Sequence, residues 1–180
     1  MSTTMLIVVI VIAVIVVIAI AALVGMQTRR RHLRERFGPE YERAVQEEGG
    51  QRAAERDLRA REERHDKLDI KELPPERRQQ YAEEWSGVQE HFVDRPEGSV
   101  SEADALVSRL MGERGYPTED YHGAVRDLSV EHGRTLEHYR AAHDIKERSG
   151  NGQATTEELR GAMVHYRALF EELLTDQRSR

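Results

Sequence analysis

The sequence predicts an all-α protein in three parts: an N-terminal transmembrane helix, a charged helical stalk and a C-terminal bundle of about five helices. Three observations carry that reading. Residues 5–26 hold no charged side chain and, Gly25 apart, only apolar ones. Residues 52–69 are mostly charged and offer few large apolar side chains. From Pro74 onward, apolar residues recur at three- and four-residue spacing, and no segment alternates with period two for long enough to be a strand.

The opening stretch MLIVVIVIAVIVVIAIAALVGM comes after a four-residue tail, residues 1–4. A helix rises about 1.5 Å per residue, so roughly twenty residues cross a hydrocarbon layer of ~30 Å. Val and Ile favour strands in water, but a lone strand in lipid leaves its backbone N–H and C=O groups unpaired. A cleaved secretory signal needs a positive n-region, a shorter apolar core and a small-x-small site. Here Met-Ser-Thr-Thr carries no charge, the run is longer, and only Ala19, Ala21 and Ala22 imitate a cleavage site. The reading is an uncleaved anchor over residues 5–26. Next comes a basic juxtamembrane segment over 27–36, with Arg29, Arg30, Arg31, Arg34 and Arg36 against one acid, Glu35. Arginines beside a span stay cytoplasmic, which puts the N-terminus outside and the remainder inside. The plain role of the collar is topology; contact with anionic lipid is the sharper one.

The whole chain carries −6. The juxtamembrane segment holds +4, so Phe37–Arg180 carries −10. An acidic body of that kind is a poor general binder of nucleic acid, whose phosphates need the opposite sign. With no cysteine, disulfides, thiolate nucleophiles and Cys-based zinc sites are excluded.

Phe37-Gly38-Pro39 breaks the first helix, and a short helix to Glu48 carries Tyr41, Ala44 and Val45 on one face. Gly49-Gly50 stops it. RAAERDLRAREERHDKLD comes next, with Ala54, Leu58 and Leu68 as its thin apolar stripe. Glu55–Arg59, Asp57–Arg61 and Glu63–Lys67 are i,i+4 pairs in the favourable order. Residues 37–73 thus read as a solvated stalk, loosely attached to the bundle.

The bundle, residues 74–180, begins at Pro74-Pro75 with Tyr81, Trp85, Val88 and Phe92 on one face. Ser99-x-x-Glu102 and Thr155-x-x-Glu158 have the form of capping boxes. The first opens a helix with Ala103, Leu106, Val107, Leu110 and Met111. Thr118 caps a short helix with Tyr121, Ala124, Val125 and Leu128, and Leu136, Tyr139, Ala142 and Ile145 mark the next. Ser149 to Gly152 is a loop. The last helix shows Leu159, Ala162, Met163, Tyr166, Phe170, Leu173 and Leu174. His-Tyr-Arg-Ala occurs twice, at His138 and His165, between flanks that do not match.

Little here points to chemistry. A helical zinc site wants ligands at i and i+4. His143 and Glu147 have that spacing, but two ligands are not a site. There is no G-x-S-x-G, no phosphate-cradling GxxxxGK[ST] and no GxGxxG, so no cofactor is implied. Tyr81, Trp85 and Phe92 are core by spacing, or else the lining of a groove for a partner helix.

The stretches RERFGPEYERAVQEEG, KLDIKELPPERRQQYAEEW, VQEHFVDRPEGSVSEADALVSRLMGERGYP, EHYRAAHDI and ATTEELRGAMVHYRALFEELL are similar to an uncharacterised family of bacterial membrane-anchored or "secreted" proteins. The resemblance covers nearly all of the chain after Arg31. It implies one N-terminal membrane segment and a soluble helical region, and it brings no catalytic or binding residue. The expectation is a non-enzymatic interaction or adaptor module, anchored in the bacterial inner membrane with its bundle in the cytoplasm. Its partners are the lipid bilayer and a protein. Two other readings keep the same bundle: a small helical enzyme or metal-dependent hydrolase using His122, His143 or His165, and an exported cell-envelope protein.

Overall fold

The computed structural model describes residues 3–175, with side chains from Ile10 onward; Met1 and Ser2 of the short tail lie outside the described residues. Among these residues the chain is all-helical. Its elements are α1 (Thr3–Phe37), α2 (Pro39–Glu47), α3 (Gln51–His65), α4 (Pro75–His91), α5 (Pro96–Arg114), α6 (Tyr121–Leu128), α7 (Leu136–Gly150) and α8 (Thr156–Thr175).

The apolar run and the arginines after it form one unbroken helix, α1. Its apolar side chains stand open, with Val17 and Leu23 each 65% exposed. Burial starts only at Leu33 and Phe37. Gly38, at φ +54°, then reverses the chain, and Pro39 starts α2 with the fixed φ that a first turn accepts.

The five helices α4 to α8 enclose the main core. α7 and α8 form a hairpin, α5 lies against both, and α4 lies on α5 and α8. The Trp85 ring stacks on Phe170, centroids 4.8 Å apart. The box at Thr155 forms as the sequence implies: Thr155 N–H donates to Glu158 Oε2 (2.8 Å) and Glu158 N–H to Thr155 Oγ1 (3.3 Å). The box at Ser99 does not form. Pro96 opens α5 a turn earlier, which leaves Ser99 buried inside the helix with its hydroxyl unpartnered. Asp120, not Thr118, caps α6, accepting from the N–H groups of His122 and Gly123.

The charged segment departs from expectation most. It is docked on the bundle rather than loosely attached. Leu33 and Phe37 of α1, Tyr41 and Ala44 of α2 and Ala54 and Leu58 of α3 close a second, smaller core over Val130, just past the end of α6. Two alanines among these let the helices approach closely, so a thin apolar stripe suffices. Polar anchors complete the docking. Glu40, 2% exposed, takes both Nη atoms of Arg140 on α7, at 2.5 and 2.7 Å. Arg64 donates to the buried Asp127 of α6 at 2.7 Å. The connection to α4 is held too, since Lys71 N–H donates to the Arg114 carbonyl at 2.8 Å.

Two glycines make the close approach possible. A Cβ on Gly115 would lie 2.3 Å from the Asp69 carbonyl oxygen, and its φ of +98° already disfavours other residues. A Cβ on Gly133 would lie 2.5 Å from the carbonyl oxygen of Phe37.

Candidate functional site

The region with the strongest unshared character is the junction between the exposed part of α1 and the docked hairpin of α2 and α3. One segment of α1, from Ile10, is long and apolar enough to cross a membrane, and none of its most apolar window is buried in the fold. Three features then come within one helical turn or two: the end of the apolar run at Met26, the arginines, and the first contacts with α3.

The direction of α3 is set by its ion pairs. Arg30 meets Glu55 (4.0 Å), His32 and Arg36 meet Glu62 (3.0 and 2.7 Å), and Arg36 reaches Asp66 (3.1 Å). The residue numbers rise together on both helices, so α3 runs parallel to the end of α1. Its first turn, at Gln51 and Arg52, therefore lies level with Met26. α2 returns between them, with Glu42 on Arg34 (3.0 Å) and the Arg34 guanidinium 5.0 Å over the Tyr41 ring.

The collar arginines are thus divided. Arg30, Arg34 and Arg36 face acids of α2 and α3, and Arg31 pairs with Glu35 along its own helix at 2.7 Å. Arg29 has no ion-pair partner among the described residues. It opens instead onto a cleft of about 420 Å³ between α1 and α3, into which Arg52, Arg56 and Arg59 also project. The sequence points to Arg29 as a topology signal, and the i, i+4, i+7 spacing of Arg52, Arg56 and Arg59 puts those three on one face of a helix; that this face returns beside Arg29 shows only in the fold.

Tyr81 and Trp85 are buried at 3% and 6% exposure in the main core, and Phe92 packs partly buried at its edge. The Trp85 face is covered by Phe170 of the same chain. Tyr81 Oη donates to Glu113 Oε2 at 2.8 Å. Burial and that bond push the Tyr81 hydroxyl up to about 12, while the Arg77 guanidinium holds the Glu113 carboxyl below its ordinary range.

The histidines do not converge. His122 lies at the start of α6, against Tyr121. His143 stacks on Tyr121, centroids 3.8 Å apart, with Nδ1 3.9 Å from Asp104. His165 stacks on His138, their Nδ1 atoms 3.0 Å apart. Among the described residues no three His, Asp or Glu side chains gather as a metal site would require. His132, a histidine that only tertiary packing could bring to others, lies buried in the bundle at 2% exposure. Its Nδ1 meets Glu172 (2.7 Å) and its Nε2 meets Tyr116 Oη (3.0 Å).

These clusters tie the fold together. Burial alone would raise the Glu172 carboxyl, but the hydrogen bonds from His132 and Thr135 outweigh it and hold it below the ordinary range. Asp104 behaves likewise: burial opposes ionisation, and His143, Tyr166 and Lys146 together prevail. Each carboxylate links different helices, Asp104 of α5 to Tyr166 of α8 (2.9 Å) and Glu172 of α8 to the turn before α7. Comparison with protein-family models, with curated proteins and with solved structures gave no significant match.

Proposed function

We propose that this chain is a single-pass, non-enzymatic interaction module of the bacterial inner membrane, with its bundle on the cytoplasmic side and a protein as its partner. One observation carries the membrane placement: an apolar helix that the rest of the fold leaves uncovered. Open apolar faces of this size are stable only against lipid or protein. The helix continues without a hinge into the small second core, which favours a body held at a fixed height over the bilayer. The cytoplasmic side rests on the arginines that end the apolar run. The non-enzymatic reading draws support from the polar clusters, whose carboxylates and imidazoles are matched to one another across helices.

Protease access in intact cells and inverted vesicles tests the placement, using a tag after Arg180. Protection in intact cells and cleavage in inverted vesicles is expected, with the chain resisting alkaline carbonate extraction. A tag cleaved in intact cells reverses the topology, and extraction by carbonate ends the anchor reading. Crosslinking in the membrane with subsequent affinity capture tests the interaction role, which fails if no protein is captured reproducibly.

A further inference from the structure

We infer that the cleft between α1 and α3 binds the phosphate-bearing headgroup of an anionic lipid in the leaflet from which α1 emerges. This rests on the membrane-anchored reading and goes beyond it, because anchoring and topology need no built site.

The cleft has the chemistry of such a headgroup. Met26 forms its apolar edge, and Arg29, Arg52, Arg56 and Arg59 surround its opening. Arg29 lies three residues past Met26, hence about 5 Å further along the helix axis. That height is where headgroup phosphates begin. Guanidinium groups suit phosphate oxygens because their N–H donors form a planar fork.

The one acid in the lining does not cancel these charges. Glu55 accepts from Tyr41 Oη (2.9 Å) and Gln51 Nε2 (2.9 Å) and lies 4.0 Å from Arg30, so it is committed on the inner side. Arg29, Arg52 and Arg56 make no ion pair among the described residues, and Arg59 donates its Nε to a backbone carbonyl, that of Glu55. The neighbouring arginines of α1, Arg30, Arg31, Arg34 and Arg36, are by contrast all paired. A topology signal alone accounts for the collar, but Arg52, Arg56 and Arg59 belong to another helix a hairpin later. Folding returns Arg52 to the level of Met26, with Arg56 and Arg59 one and two turns further along the same cleft, and leaves them open.

The test uses the full chain in nanodiscs of phosphatidylcholine with a minority of phosphatidylglycerol. After partial delipidation in detergent, the retained lipids are counted by native mass spectrometry. The wild type is expected to retain phosphatidylglycerol in preference. Each arginine at an anionic surface contributes about fivefold, so the triple variant R52Q/R56Q/R59Q should lose the preference by at least about tenfold. A control that removes the same charge elsewhere, R126Q/R160Q/R167Q, should keep it. Equal retention of both lipids by the wild type overturns the inference, and so does an equal loss in the two variants, which would make it a bulk-charge effect. Displacement by soluble glycerol phosphate at matched concentration also overturns a lipid occupant. All three chains should resist carbonate extraction. If the wild type does not, the anchor itself fails, a result separate from the lipid preference. The six substituted arginines are exposed, and unchanged circular dichroism checks that the variants fold.

Discussion

Glu40→Ala asks whether the charged segment is part of the folded body. Glu40 sits in the first turn of α2, 2% exposed, and makes two bonds to Arg140 on α7. Removing one partner of a fully buried ion pair costs about 3–5 kcal/mol, chiefly because a charge is left stranded. Here the stranded group is Arg140, whose side chain keeps 17% exposure and a second carboxylate, Glu137, at 3.0 Å. Both soften the loss, to about 2 kcal/mol. With a urea m-value of ~2 kcal/mol/M, the midpoint falls by about 1 M if the segment unfolds with the bundle. The assay is urea unfolding of the full chain in micelles, monitored by fluorescence of Trp85, with hydrogen exchange at Ala44, Ala54 and Leu58 reporting the hairpin itself. Arg140→Met in the Glu40→Ala background should restore most of the loss, because it removes the stranded charge. Unchanged midpoint and unchanged exchange in Glu40→Ala would refute the docking argument. A double variant no better than the single one would refute its electrostatic part.

Gly115→Ala should destabilise by about 2–3 kcal/mol in the same urea assay, since its Cβ would collide with the Asp69 carbonyl at a positive φ. Trp85→Ala should cost about 3–5 kcal/mol as a core truncation. Trp85→Phe should cost far less, because the buried Nε1 has no hydrogen-bond partner to lose; near-neutral Trp85→Ala would return Trp85 to a surface groove. Ser99→Ala should be neutral or stabilising by thermal melt, whereas a capping role would make it cost about 1 kcal/mol. Burial, and then the charge of His138, hold His165 below its ordinary value. The unfolded chain therefore binds the proton first, so stability is full above pH ~6.5 and falls as pH drops below it. His138→Gln should flatten that slope in midpoints measured between pH 7.5 and 5.5; an identical slope would show that the pair does not contribute.

Helix identities were legible because each has a local cause. The apolar run, the i, i+4 faces of α4 to α8 and the Thr155 box all lie within a few residues of their partners in sequence. The start of α5 was not legible: the Ser99 box is the stronger local pattern, but the fixed φ of Pro96 suits a first turn and opens the helix before it. Docking was not legible, because its anchors lie far apart in sequence: Glu40 with Arg140, Arg64 with Asp127, and Gly133 under Phe37. Periodicity identified the Trp85 face as one that must be covered; only the tertiary structure supplies Phe170 as the cover.

The same distinction explains α3. Composition makes it polar on every side, and such a helix has no obvious reason to settle anywhere. In the fold each side has its own surroundings. Ala54, Leu58, Arg61 and His65 turn inward and are buried. Glu55, Glu62 and Asp66 face the arginines and histidine of α1. Arg64 reaches across to α6. There remains the face of Arg52, Arg56 and Arg59, beside the point where the apolar part of α1 ends. The acids of α3 are used to satisfy the collar, so the arginines that would otherwise have paired with them, Arg59 with Glu55 above all, are left facing out. Asp57–Arg61 forms within α3 at 2.7 Å, but the Glu55–Arg59 pair is exchanged for contacts between helices, and that exchange leaves positive charge where a membrane surface would be.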